Sequence, residues 1–146
     1  MARFLPDTSV IVAAVCTWHV HHSAAIAELD RRLGNEAMIV AGQTLVETYA
    51  VLTRLPAPYR LSAADAQALI SANFVEKAEI VALESVAYPA LLKRAAASGI
   101  VGGQTYDAVV AECARVAAVD ALVTFNERHF RGLMDGAMTL VVPTAQ

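Results

Sequence analysis

A mainly parallel five-stranded sheet between two helical layers, an α/β/α architecture, is the fold class this sequence predicts, and two patterns predict it. The first is a set of short apolar runs at Ala2–Leu5, Ala37–Ala41, Glu79–Leu83, Ala121–Phe125 and Met138–Val142. They are continuous rather than alternating, the mark of strands covered on both faces. The second is the helical patterning between them: Thr8–Val15, His22–Leu33, Gln43–Leu55, Ala63–Phe74, Val86–Ala97 and Tyr106–Ala118. Strands that alternate with helices build a parallel sheet with helices on its faces.

The boundaries have local reasons. Gly34 and Gly99 follow the second and fifth helical patterns, and Pro56 and Pro58 stop the third. Ser62 opens "SAAD" as a cap for the fourth. With no repeat, low-complexity tract or long linker, the 146 residues are expected to form one domain, residues 1–146, large enough to bury a core. The loop "GIVGGQT", Gly99–Thr105, is the segment expected to be most flexible.

Composition excludes several classes. Hydrophobic content of 57% and a mean hydropathy of +0.49 owe much to alanine, and apolar runs such as Val10–Cys16 fall far short of a membrane span of about 18 residues. Pro6 and Asp7 interrupt the N-terminal apolar stretch before a secretory signal forms, so a cytoplasmic location is expected. Cys16 and Cys113 lie far apart with no C-x-x-C pattern, as buried thiols do. A net charge of −3 offers no bulk attraction for nucleic acid. Nine of the eleven basic residues are arginine, the side chain suited to bidentate phosphate contact, so placement matters more than sum.

In an open parallel sheet, ligands bind beyond the carboxyl ends of the strands. Four polar residues stand at such exits: Asp7 after the first strand, Glu47 early in the helix after the second, Asp107 opening the sixth helix, and Asn126 after the fourth strand. Each has a purely structural explanation. Asp7 caps a helix, Thr44 and Glu47 have capping-box spacing, and Asp107 suits the positive end of a helix. Caps alone do not require acids at neighbouring strand ends, however, and clustered carboxylates repel unless a hard cation such as Mg²⁺ lies among them.

The segments "LPDTSV", "VETYAVLTRL", "YDAVVAECA" and "LVTFNERHF" together resemble a PIN-domain ribonuclease of the VapC toxin type, in order and spacing along essentially the whole chain. The resemblance implies a PIN-like three-layer fold and an endoribonuclease dependent on Mg²⁺, with Mn²⁺ as substitute. Asp7 and Asp107 would hold the metal, with Glu47 completing the acidic pocket or orienting the attacking water. Thr8 and Ser9 would orient Asp7, and Thr124 would position the loop or a phosphate. Products would carry 5′-phosphate and 3′-hydroxyl ends. A VapB-type antitoxin whose tail plugs the groove, and a toxin homodimer, are the implied partners. Asn126 departs from the pattern, because many PIN domains carry a fourth Asp there. It brings no charge, so single-metal chemistry is expected, and an inactive PIN fold serving as a binding module is the alternative.

Other features have plainer expectations. Arg54, Arg128 and Arg131 flank the site as candidate RNA phosphate contacts. His19, His21 and His22 in "WHVHH" lack finger-like partners for zinc and are expected in a polar loop. Trp18 is expected in packing or in stacking on a base. His129 is expected on the surface of a short turn, without a general-base role, and Glu112, about 140° around the helix from Asp107, off the site. Response-regulator receivers, haloacid-type phosphatases and adhesion modules also place acids at strand ends. Each loses on residues: no second acid beside Asp7, Ser9 where a phosphatase needs Asp, and Ile11 where the adhesion motif needs Ser.

Overall fold

The computed structural model describes residues 1–145. Five parallel strands form the sheet: β1 (Arg3–Pro6), β2 (Ala37–Ala41), β3 (Glu79–Val81), β4 (Ala121–Val123) and β5 (Thr139–Val141), in the spatial order β3-β2-β1-β4-β5. The helices are α1 (Thr8–Val15), α2 (His22–Leu33), α3 (Gly42–Thr53), α4 (Ala63–Ile70), α5 (Ala87–Ser98), α6 (Gln104–Val116) and α7 (Glu127–Arg131).

Strand residues alternate between two cores, as the pleat requires. Leu5, Ile39 and Leu122 face α5, α6 and α7, where Leu91, Val109 and Phe130 pack. Phe4, Met38, Val40 and Val123 face α1 and α2, against Val10, Ala25 and Leu29. Both faces of β1, β2 and β4 are therefore dry, which is why these strands read as unbroken apolar runs, whereas the edge strands β3 and β5, expected to be covered as well, are partly exposed. A third cluster joins Cys16, Leu52, Ala66 and Ile70 beneath α3 and α4.

The chain leaves β1 toward β2 and β3 on one side, then crosses back to place β4 and β5 on the other. The space between the ends of β1 and β4 is the topological switch point, the natural crevice of an open α/β sheet. Register fixes what stands there: Pro6 pairs with Val123, and the Asp7 N–H donates to the Val123 carbonyl at 3.0 Å. Asp7 and Thr124 thus leave the sheet side by side.

Several boundaries follow their expected chemistry. The Ser62 hydroxyl accepts from the Asp65 N–H at 3.1 Å, and Gly99 ends α5 with a left-handed φ of 71° that a side chain would disfavour. Three expectations need correction. The fourth helical pattern does not stay α-helical to Phe74; Ser71–Val75 form a π-helical turn that brings Phe74 into the core. The fourth strand ends at Val123; the Thr124 N–H still donates to the Val141 carbonyl at 2.9 Å, but the Phe125 N–H leaves the ladder for the Ser9 oxygen. "NERHF" is the helix α7 rather than a bare turn, anchored by buried Phe130. Among the described residues no helix is long and apolar enough to cross a membrane.

Candidate active site

Asp7 is the N-cap of α1 and is only 2% exposed. Its Oδ1 accepts from the Val10 N–H at 3.1 Å and from the Ser9 hydroxyl at 2.6 Å, while Oδ2 accepts from the Thr124 hydroxyl at 2.5 Å. The capping explanation is therefore correct but incomplete, since a cap bond uses one oxygen of a side chain that here is locked from both ends. Burial pushes this carboxyl up from 3.8 to about 6, despite three hydrogen bonds that pull it down, and the charge of Asp107 adds to the rise. Among the described residues no cation pairs with Asp7. A buried carboxylate without one is costly in its charged form.

Asp107 sits in the first turn of α6, and its Oδ2 lies 2.9 Å from the Nδ1 of His129 on α7. Burial raises this carboxyl too, His129 opposes the rise, and Glu47 adds to it. Glu47 projects from α3 with its Oε1 accepting from the Gln43 amide at 2.7 Å; the same amide reaches the Tyr106 carbonyl at 3.4 Å and so ties α3 to α6. The capping box does not form. Thr44 lies within α3, whose N-cap is Ala41, and its buried hydroxyl has no hydrogen-bond partner. Asp7, Asp107 and Glu47 come from three separate segments, and Asp107 links them: its charge raises Asp7, and the charge of Glu47 raises Asp107.

The remaining residues divide. Thr124 is fully buried, and its hydroxyl accepts from the Asn126 N–H at 2.8 Å while donating to Asp7, so it positions the acid and the loop and does not reach a phosphate. Among the described residues no hydrogen bond joins the Thr8 hydroxyl to Asp7; Ser9 and Thr124 orient that carboxylate instead. Asn126 is exposed at the N-cap of α7, without a side-chain cap bond. Arg54 and Arg128 are exposed, whereas the guanidinium of Arg131 is bonded to Glu127 at 2.6 Å. Glu112 pairs with Arg115 at 2.7 Å and Arg94 at 3.7 Å, away from the acids as expected.

Two contributors escaped the sequence reading. Gln43 was legible as an i, i+4 partner of Glu47. His129 is not the idle surface histidine expected, because the short helix turns its ring back to Asp107. Histidine-to-Asp107 contact orients a candidate ligand from behind, and outer partners of this kind commonly change metal affinity or activity by about 10–100-fold. His129→Ala is expected to weaken Mn²⁺ binding about tenfold, measured by calorimetry, with the melting temperature nearly unchanged. His129→Asn, which keeps a donor, is expected to recover part of the loss.

The donor set fits a hard divalent cation. Among the described residues no three acidic, His or Cys side chains converge as a closed cage. Mg²⁺ does not ask for one, since it keeps several waters and is commonly held by one or two carboxylates with substrate phosphate. A buried Asp7 whose proton affinity is raised by burial and by Asp107, and a partly buried Asp107 raised by burial and by Glu47, offer oxygen donors and no sulfur, which matches Mg²⁺ or Mn²⁺ better than zinc.

Residues 4–133 match the family described as PIN domain. The chain belongs to the PIN-domain family, among its members of the VapC type. It is 37% identical over 117 residues to Ribonuclease VapC40 of Mycobacterium tuberculosis, covering 80% of this chain and 82% of that protein. Its fold resembles VapBC2 of Rickettsia felis, solved with a DNA fragment from its promoter, at a TM-score of 0.70 and 17% identity, covering 97% and 99% of the two chains. It also resembles VapC20 of Mycobacterium tuberculosis, described as a sarcin-ricin loop cleaving toxin, at a TM-score of 0.72 and 13% identity, covering 88% and 94%.

Proposed function

We propose that this VapC-type chain is an endoribonuclease dependent on Mg²⁺, with Mn²⁺ able to substitute, and that a cognate VapB-type antitoxin restrains it. The observation that carries the reading is the carboxylate of Asp7, buried at the switch point without a cationic partner among the described residues and close enough to Asp107 to feel its charge. Asp7 and Asp107 would hold the cation, directly or through water. When bound, it lowers the pKa of a water and offsets charge on the scissile phosphate.

The chain's own groups supply position. Ser9 and Thr124 fix the Asp7 carboxylate, His129 turns Asp107 toward the cleft, and Gln43 holds Glu47 by one oxygen. The second oxygen of Glu47 is then available to orient the attacking water for in-line displacement, leaving 5′-phosphate and 3′-hydroxyl ends. Arg54 and Arg128 are the arginines available to steer phosphates, since Arg131 is engaged with Glu127. Asn126 adds a neutral oxygen at the rim, which supports one metal rather than two. Asn126→Asp is expected to tighten Mn²⁺ binding several-fold; an unchanged calorimetric titration would remove residue 126 from the cleft.

Purified chain free of antitoxin, incubated with total RNA, is expected to give defined cuts with mapped 5′-phosphate ends in Mg²⁺ or Mn²⁺ and none in EDTA. The same cuts persisting in Asp7→Asn would place the chemistry elsewhere. A folded wild type that cuts nothing would leave a PIN-fold binding module.

A further inference from the structure

We propose that Tyr59, Trp18, His19, His21 and Phe125 form a track on which bases of single-stranded RNA stack as the strand enters the acid cleft, an inference that rests on the nuclease reading above. The "WHVHH" segment, which no part of the cleft uses, connects α1 to α2 and lays its rings in a row. Trp18 lies 4.4 Å from Tyr59, centroid to centroid, and 5.9 Å from His19; His19 lies 5.7 Å from His21. His21 stacks on Phe125 at 4.4 Å with an interplanar angle of 14°. The Phe125 N–H donates to the Ser9 oxygen at 3.0 Å, and the Ser9 hydroxyl donates to Asp7. The row therefore ends two hydrogen bonds from the buried carboxylate.

Core packing accounts for Phe125, which lies partly buried against the cluster of Phe4 and Val10, but not for the outer rings. The core rings of Phe4, Phe74 and Phe130 are at most 3% exposed, whereas Trp18 is 45% and Tyr59 44% exposed. Beside them opens a shallow cavity of about 230 Å³ between the segment around Trp18 and the loop at Pro58–Leu61. The backbone holding the rings is fixed: His22 Nδ1 lies 2.8 Å from the Ala13 carbonyl, and the His21 N–H donates to His19 Nδ1 at 3.0 Å. With its Nδ1 accepting, and with burial and the neighbouring histidines lowering its pKa, His19 presents a neutral ring. Arg54 at the end of α3 and Arg60, which donates to the Leu55 carbonyl at 2.8 Å, flank the loop that carries Tyr59 and bring positive charge alongside.

Rings in file, with Trp18, His21 and Tyr59 exposed and cations beside them, are the apparatus of single-strand binding, because every base offers a face and the backbone needs counter-charge. A duplex keeps its bases stacked inward and has no use for such a row. Continuity with the acid cleft selects RNA on its way to the scissile position as the occupant.

Trp18 is the sole tryptophan, so its emission reports on the track. Full-length protein in EDTA, where no cutting is expected, is titrated with a mixed-sequence single-stranded oligoribonucleotide of about twelve nucleotides and with a duplex of equal length. The proposal expects saturable quenching by the single strand, little by the duplex, and roughly tenfold weaker binding in Tyr59→Ala and His21→Ala. Trp18→Ala, followed by anisotropy of a labelled strand, is expected to lose as much and Trp18→Phe to recover most of it. In Mg²⁺, KM for the long strand is expected to rise in Tyr59→Ala with kcat held within about twofold, and a substrate trimmed to the nucleotides flanking the cut to be unaffected. Wild-type affinity in Tyr59→Ala and His21→Ala, or equal quenching by the duplex, would overturn the track while leaving metal-dependent cleavage standing. Weakened binding in those variants with no cleavage by wild type would uphold the track and remove the nuclease reading.

Discussion

Asp107→Asn is expected to lower the rate of RNA cleavage by about 10³-fold or more while leaving the fold intact, because several kcal/mol of metal-borne transition-state stabilisation depend on that carboxylate. The substitution keeps the shape and an acceptor for the ring of His129 but removes the charge. Loss at this scale, with melting temperature unchanged or raised, separates a role in the chemistry from a role in the scaffold. It would be read by single-turnover cleavage at saturating Mg²⁺. A tenfold loss or less would mean that Asp107 serves α6 rather than the reaction.

Asp7→Asn is expected to raise the stability of the metal-free protein even as it abolishes activity. In the unfolded chain this carboxyl titrates near 3.8, whereas in the folded state burial moves it to about 6. Below the lower value both states are protonated and the fold keeps its full stability. As pH rises through about 6 the buried carboxyl must ionise, so metal-free stability falls between roughly pH 4 and 6, by at most about 3 kcal/mol. Asn removes that charge, and its oxygen can still accept from Ser9 and Val10 while its amide faces the Thr124 oxygen. The expected gain near pH 7.5 is roughly 3–8 °C in Tm. Wild type is expected to recover the difference on adding Mg²⁺ and the variant to gain nothing. A lower Tm for Asp7→Asn would mean that its hydrogen bonds outweigh its buried charge.

Much of this was legible in the sequence because dry, two-sided strands leave unbroken apolar runs and helices leave caps. Asp7, Glu47 and Asp107 were visible as acids at strand exits, since the exit rule depends only on where strands stop. What stayed hidden depends on how the chain crosses. Nothing local says that β4 lies beside β1, so the bond from Thr124 to Asp7 could not be read from spacing. The turn of α7 that brings His129 to Asp107 comes from burial of Phe130, a tertiary effect. The capping-box reading of Thr44 and Glu47 failed because α3 begins directly from the strand at Gly42, leaving Thr44 inside the helix. The row from Tyr59 to Phe125 joins three separate segments, and its single-residue contacts carry no period.

The most direct test of the central claim, that acids at the switch point hold one catalytic cation, is anomalous diffraction from crystals of the antitoxin-free chain soaked in Mn²⁺. The account predicts a single manganese peak in contact with the carboxylates of Asp7 and Asp107, or one water removed from them, and lost in Asp107→Asn. Manganese bound elsewhere, with none beside Asp7, would contradict it.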